Sequence, residues 1–145
     1  MAEPARPRRT DFTVLRPIAT RWIDNDHYGH VNNVAYYSFF DTAVNGFLIE
    51  ATGTDIRGLP AIGIVAESSC RFLSAISFPD AIEAGLGVER IGTSSIVYAI
   101  ALFRSTEDTA CAVGRFVHVY VNRISRRPVP IPEVIRTVAD RLKSV

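Results

Sequence analysis

Residues 34 to 49 form the segment that most restricts how this chain can fold. Eleven of these sixteen residues are apolar. The polar residues among them follow a spacing that places them in one narrow stripe along a helix, namely Ser38, Asp41, Thr42 and Asn45. A helix with so little polar surface has to be covered by other elements around most of its circumference. We therefore predict a helix here that lies at the centre of the fold.

Five other segments have the composition and alternation of β-strands. They cover residues 12–23, 61–73, 81–91, 94–104 and 110–123. Short connections between the later segments favour antiparallel hairpins. Pro17 has no N–H to donate, so the first strand is expected at a sheet edge or at a bulge. In the second segment, alternation predicts one common face for Ile62, Ile64, Ala66, Cys70 and Phe72.

The chain ends in a second helical pattern, VPIPEVIRTVADRL, with Pro132 near the first helical position. The order strand, helix, four strands, helix is that of an α+β protein. Four or five antiparallel strands can cover a helix that is apolar nearly all round only if the sheet curls about it. We therefore predict a long, curved antiparallel sheet wrapped around the central helix, plus a C-terminal helix.

Length, charge and cysteine content limit the possible classes of protein. We expect a disordered arm over residues 1–11 and a single domain over residues 12–145. The formal net charge of +1 argues against nucleic-acid binding, and no apolar run of about 18 residues is present to span a membrane. Cys70 and Cys111 lie far apart in strand patterns, and we interpret them as small buried residues in a reducing, cytoplasmic compartment.

The segment IDNDHYGHVNN, residues 23 to 33, is unusually polar for the entrance to so apolar a helix. It fits a plain loop in which Asn32 or Asn33 caps the helix and nearby carboxylates interact with its positive end. It also fits a site for acyl transfer. Free N–H groups at a helix N terminus can polarise a carbonyl oxygen, while Asp26 attacks the carbonyl or activates water. Gly29 would let the backbone turn tightly between these groups. The residues alone leave both interpretations open.

The stretch DNDHYGHVNNVAYY, residues 24 to 37, resembles a known motif. The motif is the D-x-D-x-x-G-H-V-N-N-x-x-Y of hotdog-fold acyl thioesterases of the 4-hydroxybenzoyl-CoA thioesterase-like group. Weaker similarity lies in SSCRFL (68–73), RIGTSS (90–95) and VNRISRRPVPIPE (121–133), so that the resemblance extends over residues 12 to 140. It implies the hotdog fold, which is a curved antiparallel sheet of about five strands around a central helix.

The resemblance also implies a hydrolase that converts acyl-CoA and water into a carboxylic acid and CoA. Asp26 would be the catalytic carboxylate, acting either as nucleophile or as general base. The backbone N–H near Asn33 would hold the thioester oxygen. Around these two groups, the resemblance implies site positions at Tyr28, Gly29, His30, Asn32 and Tyr36. His30 would shape the pocket or take part in catalysis, and Tyr36 would begin the wall of the acyl site.

Several other polar residues have more than one interpretation. Asp24 fits a structural role that holds the loop or pairs with Arg21. Asp41 is either a second candidate acid or a solvated carboxylate on the polar stripe. Glu67 is either a substrate contact near a partner subunit's helix or an ordinary surface charge. His118 fits a hydrogen-bonded strand histidine better than a catalyst.

The resemblance implies coenzyme A as part of the substrate and no separate cofactor or metal. Arginines can bind its phosphates in a bidentate manner. The arginines that lie at strand ends or in the loop after the last strand are Arg90, Arg123, Arg126 and Arg127. Open sheet edges favour self-association, and the resemblance implies a homodimer or homotetramer. Two alternatives stay open, namely an acyl-ACP thioesterase and a non-catalytic hotdog protein that binds acyl groups or CoA.

Overall fold

A computed structural model describes residues 5–143 of the protein. It confirms the predicted α+β class and the order strand, helix, four strands, helix. The elements are β1 (Val14–Ala19), α1 (Asn33–Thr52), β2 (Ala61–Phe72), β3 (Ala81–Ile91), β4 (Ser95–Arg104), β5 (Ala112–Asn122) and α2 (Glu133–Asp140). Helix α1 is longer than residues 34–49. It begins directly after Asn32, which caps it, and ends before Gly53, whose left-handed φ of 64° stops it.

The five strands form one antiparallel sheet in the order β1-β3-β4-β5-β2. Short β1 lies at one edge and contains Pro17, as expected for a residue that cannot donate to a neighbouring strand. The other edge is β2, which is twelve residues long and pairs only with β5. The sheet wraps around α1, and this arrangement is the hotdog fold.

The core lies between α1 and the concave face of the sheet. Phe40, Ala43 and Val44 of α1 are completely buried, in agreement with the prediction of a central helix. The helix comes so close to β5 that a Cβ atom at position 114 would overlap the ring of Phe40. Gly114 therefore allows the helix to pack directly on the strand backbone.

A smaller apolar cluster covers the opposite, convex face of the sheet. It contains Ala101, Phe103 and Ala110, with Phe12 packed against them. The segment before Phe12 differs from the prediction of a disordered arm over residues 1–11. The Arg9 guanidinium pairs with the Glu83 carboxylate and also donates to backbone oxygens of the β4–β5 connection at 2.9 and 3.0 Å. Residues 7–11 are thus held on the sheet, whereas residues 1–4 lie outside the described residues.

Strand β2 departs from the predicted simple alternation. A bulge between Val65 and Glu67 shifts its pairing with β5. Before the bulge Val65 pairs with His118, and after it Ser68 pairs with Phe116. The odd-numbered residues of β2 therefore face α1 before the bulge, and the even-numbered residues face α1 after it. The predicted common face for residues 62 to 72 is therefore wrong at the bulge.

The two cysteines are free thiols in the described part of the chain. Cys111 is buried and Cys70 is half-buried. Burial raises the pKa of Cys70 to about 12 and that of Cys111 to about 11, so both thiols stay protonated at neutral pH. Among residues 5–143, no helix has an apolar stretch long enough to cross a membrane.

Candidate active site

Asp24 anchors the loop that leads into α1. Its side chain is buried, and its carboxylate accepts hydrogen bonds from the Arg21 backbone N–H and guanidinium, each at 2.8 Å. The Asp24 backbone oxygen accepts a further bond of 2.7 Å from the Asn32 N–H. Asp24 thus has the structural role and the Arg21 partner that the sequence indicates.

Asp26 lies at the start of a tight loop that its own side chain helps to close. Its Oδ1 atom accepts hydrogen bonds from the backbone N–H groups of Tyr28 (2.9 Å) and His30 (3.4 Å). Gly29 has a φ of 81°, which a residue with a side chain rarely adopts, and its oxygen accepts from the Ser77 hydroxyl at 2.8 Å. The second carboxylate oxygen of Asp26 accepts no hydrogen bond from residues 5–143, and the residue is only half-buried. This oxygen is available for chemistry.

At the start of α1, the backbone N–H group of Asn33 is free within residues 5–143. Asn32 is the cap, and its side-chain oxygen accepts a bond of 3.3 Å from the Val34 N–H. The Ala35 N–H donates to the Asn32 oxygen at 2.9 Å. The N–H of Asn33, the first helical residue, donates to no atom within the described part of the chain. A free donor at the positive end of a helix is the feature that stabilises a negatively charged oxygen.

These groups meet in one open depression of about 360 Å³. Its lining includes four residues that the sequence predicts for the site, namely Asp26, His30, Asn33 and Tyr36. It also includes residues that sequence reasoning missed as site residues: Val31, Phe72, Leu73, Ser74 and Ala75. The last four come from the end of β2 and the segment after it. Nothing in their local sequence shows that the fold brings them to the start of α1.

Tyr36 and Phe72 form the apolar wall of the depression. Their rings meet edge to face with centroids 4.8 Å apart. Burial raises the pKa of Tyr36 to about 12, so its hydroxyl is protonated at neutral pH. Tyr36 can therefore pack against an apolar group or donate a hydrogen bond, but it cannot act as a negatively charged base.

The remaining predicted residues of the loop contribute through the backbone. The Tyr28 side chain is 85% exposed and does not line the depression, although its N–H orients Asp26. Asn32 orders the helix start rather than the depression. Asp41 is exposed and accepts a hydrogen bond of 3.0 Å from the Asn45 side chain, which fits the interpretation as a solvated carboxylate.

Glu67 lies half-way along β2 and pairs with Arg115 at 3.2 Å. Its strand partner is Val117, which belongs to the convex face of the sheet. Within one chain, this placement keeps Glu67 away from the depression.

The predicted arginines lie at the other end of the sheet. Phe72 pairs with Ala112 at the end that carries the depression, whereas Ala61 pairs with Asn122 at the far end. The far end also carries Arg90, near the end of β3, and the turn with Arg123, Arg126 and Arg127. A single chain therefore does not bring these arginines to Asp26.

Comparison with known proteins agrees with this geometry. A profile of the thioesterase-like superfamily matches residues 20–138. The crystal structure of the PA5185 protein from Pseudomonas aeruginosa strain PAO1 is 54% identical, with a TM-score of 0.93 over 97% of this chain and 98% of that one. The PA2801 protein from Pseudomonas aeruginosa is 30% identical, with a TM-score of 0.79 over 85% and 95% of the two chains.

The fold also extends to more distant proteins. Slr0204, a 1,4-dihydroxy-2-naphthoyl-CoA thioesterase from Synechocystis, is 13% identical, with a TM-score of 0.80 over 88% of this chain and 96% of that one. The fold and the family match together define a hotdog-fold thioester hydrolase. The chain belongs to the thioesterase-like superfamily.

Proposed function

We propose that this protein hydrolyses acyl-CoA thioesters and that Asp26 and the N–H of Asn33 are its catalytic groups. The observation that carries the proposal is that both groups line one depression while each keeps a free hydrogen-bonding atom. Hydrolysis of a thioester passes through a tetrahedral oxyanion, which the Asn33 N–H would stabilise. The acyl-CoA carrier is supported by the resemblance and by the name of the Synechocystis thioesterase.

Asp26 has two possible roles in this reaction. As a general base, it takes a proton from water, and the resulting hydroxide attacks the thioester carbonyl. As a nucleophile, its free oxygen attacks the carbonyl and forms an anhydride, which water then hydrolyses. Either route ends with a carboxylic acid and the CoA thiol. Neither route needs a metal, and we propose that none takes part.

We further propose that two copies of the chain pair through β2. This edge strand is long, and it exposes the apolar residues Ile64, Val65 and Phe72 at 39%, 46% and 50%. Unpaired strand edges of this kind add a further strand readily. Apolar residues near the depression are exposed as well, namely Trp22, Ile23, Tyr28 and Val34. A partner subunit would cover part of this surface.

The direction of pairing has a consequence for the site. If β2 pairs antiparallel with its own copy about a two-fold axis near residues 66 and 67, the Phe72 end of one strand lies beside the Ala61 end of the other. The depression of one subunit would then lie near the partner subunit's Arg123, Arg126 and Arg127. Such a pairing would bring the arginines toward the phosphates of a CoA bound at Asp26, and it supports the proposal that they contact CoA.

The Asp26→Asn variant tests the catalytic assignment. We expect it to lose about 10²- to 10⁴-fold in kcat, because removing a general acid or base has that effect. The assay is release of free CoA thiol from short, long, branched and aromatic acyl-CoA esters. Asp41→Asn is the matched control, since it removes an exposed carboxylate from α1 and should leave kcat unchanged. Full activity of Asp26→Asn would show that another group performs the chemistry.

A further inference from the structure

The segment between β2 and β3 lies against the loop that carries Asp26. We call residues 73–78 the connector, and each of its last three residues bonds to that loop. The bonds run from the Val31 N–H to the Ile76 oxygen (2.7 Å), from the Ser77 hydroxyl to the Gly29 oxygen (2.8 Å), and from the Phe78 N–H to the Asn25 side-chain oxygen (3.0 Å). Of these bonds, only the one from Ser77 depends on a side chain of the connector.

The bond from Ser77 and one of the bonds to Asp26 share a peptide unit. The Gly29 oxygen and the His30 N–H belong to the same planar unit and cannot turn independently of each other. The oxygen of this unit accepts from the Ser77 hydroxyl at 2.8 Å, and its N–H donates to the Asp26 Oδ1 atom at 3.4 Å. The Ser77 hydroxyl therefore fixes the direction in which the His30 N–H points.

Few other contacts fix this peptide unit. Within residues 5–143, the Gly29 oxygen accepts only from Ser77, and the His30 N–H donates only to Asp26. Both Gly29 and His30 are exposed, and a glycine restricts the rotation of its backbone less than any other residue does. Without the Ser77 hydroxyl, the unit would be free to turn toward water, and the His30 N–H would move away from Asp26.

The connector is a well-supported platform for the Ser77 side chain. Hydrogen bonds hold it from both ends, namely from the Leu73 and Ser74 N–H groups to the Cys111 oxygen (2.9 and 3.0 Å), from the Arg104 guanidinium to the Ala75 oxygen (2.6 Å), and from the Ser77 N–H to the Asp80 carboxylate (3.0 Å). Ser77 is also half-buried. These contacts limit how far its hydroxyl moves, so the Gly29 oxygen is held against a fixed point.

We propose that Ser77 is a positioning residue for the Asp26 carboxylate. By holding the peptide unit between Gly29 and His30, its hydroxyl keeps the His30 N–H on Oδ1 and so directs the other carboxylate oxygen into the depression that Asn33 also lines. Ser77 is not among the residues that line the depression, so we assign it no contact with the substrate. The inference rests on the proposed function, because Ser77 has its effect through Asp26.

Three variants test the effect on rate. Ser77→Ala should lower kcat by about 10- to 100-fold with little change in KM, because misplacing a catalytic group by about 1 Å has an effect of this size. Ser77→Thr keeps the hydroxyl and should keep most of the rate. Ser105→Ala is the matched control, since the Ser105 hydroxyl donates to the Ala81 oxygen at 3.0 Å, outside the depression. Both alanine variants lose one exposed hydrogen bond and should melt at similar temperatures. Equal kcat values for Ser77→Ala and Ser105→Ala would overturn the positioning role.

A double variant tests whether Ser77 acts through the Asp26 carboxylate. In single-turnover assays, adding Ser77→Ala to Asp26→Asn should lower the residual rate by less than about two-fold, because the effects of residues that act as one unit are not additive. The same fold-loss in both backgrounds would mean that Ser77 acts on another group, and it would overturn the proposal.

Amide hydrogen exchange gives a readout besides activity. The His30 amide should exchange faster in Ser77→Ala than in the natural protein or in Ser77→Thr, while the Tyr28 amide, which also bonds Asp26 but belongs to another peptide unit, should be unchanged. Equal acceleration of both amides would indicate general loosening of the loop and would overturn the specific role. Full activity of Asp26→Asn would refute the proposed function, whereas an impaired Asp26→Asn beside a fully active Ser77→Ala would refute the positioning role alone.

Discussion

Replacing Asn33 with proline would remove the proposed oxyanion donor without removing any other group on which α1 depends. A backbone N–H cannot be deleted by an ordinary side-chain substitution, but proline has none. Asn33 is the first residue of α1, a position where proline is well tolerated because the N–H there makes no helical bond. The preceding residue has φ −62° and ψ 141°, which is the extended conformation that a following proline requires.

The expected effects on stability and on rate are very different. The Asn33 N–H makes no hydrogen bond with the described residues, and the side chain is exposed, so Asn33→Pro should change the unfolding free energy by less than about 0.5 kcal/mol. Loss of one oxyanion donor typically lowers kcat by about 10²- to 10³-fold, or about 2.7 to 4 kcal/mol in the transition state. The acyl-CoA should still bind, because the donor acts mainly on the oxyanion.

The assay compares kcat, KM and thermal unfolding for the natural protein, Asn33→Pro and Asn33→Ala. The alanine variant removes the same side chain but keeps the N–H, so it should retain its rate. A large loss of kcat in Asn33→Pro alone, with unchanged melting temperature, would support the role of the N–H. If Asn33→Pro and Asn33→Ala were equally active, the helix N terminus would not be the oxyanion site, and the reasoning would be refuted.

Two further predictions concern assembly and pH. The double variant Ile64→Lys, Val65→Lys places charges on the open edge of β2 and should halve the mass found by light scattering and abolish hydrolysis. Thr137→Lys on the exposed side of α2 should change neither, and an unchanged mass of the double variant would exclude β2 as the interface. Because the ring is buried, the folded-state pKa of His118, about 4, lies below its unfolded value of about 6.5, so the folded state favours the neutral imidazole. This contribution to stability is fully present above pH 6.5, and the free energy of unfolding should fall by up to about 3 kcal/mol as pH drops to 4. Denaturant titrations should show a smaller decline in unfolding free energy for His118→Leu than for the natural protein. An equal decline in both proteins would mean that other groups cause it.

The sequence was sufficient to predict the central helix and the order of the elements. The reason is physical: α1 has so few polar residues that only burial on nearly all sides accounts for it. Phe40 and Val44 are accordingly buried, while Asp41 on the polar stripe is exposed. The structure adds that Ser38, Asp41 and Thr42 of the stripe are exposed in a single chain.

Features that depend on contacts between distant segments could not be predicted. The bulge after Val65 is one, because Ile64 and Cys70 fit one continuous alternation in the sequence, and only the pairing with β5 shows that they face opposite sides of the sheet. The docking of Arg9 on Glu83 is another. A basic, proline-containing start resembles a disordered arm in sequence, and only the folded sheet brings the carboxylate to within reach.

The candidate site also has one part that the sequence predicted and one part that depends on contacts between distant segments. Asp26, His30 and Asn33 are close in sequence, so the motif predicted their proximity. Phe72 and Ser74 lie some forty residues later and reach the depression only because the end of β2 passes the start of α1. Sequence also suggested a structural role for His118. That interpretation assumed a hydrogen-bond partner that the fold does not supply.

The two interpretations of the polar loop, a helix cap and the proposed chemical site, are compatible with the same residues. Asp24 and Asn32 use their side chains to order the loop and to cap α1. Because Asn32 bonds the Val34 N–H and not that of Asn33, capping leaves the Asn33 donor free within the described residues. Because only one oxygen of Asp26 closes the loop, the other stays available. The bonds that order the loop thus leave one oxygen of Asp26 and the Asn33 N–H free in residues 5–143, and these are the two groups that the proposed function uses.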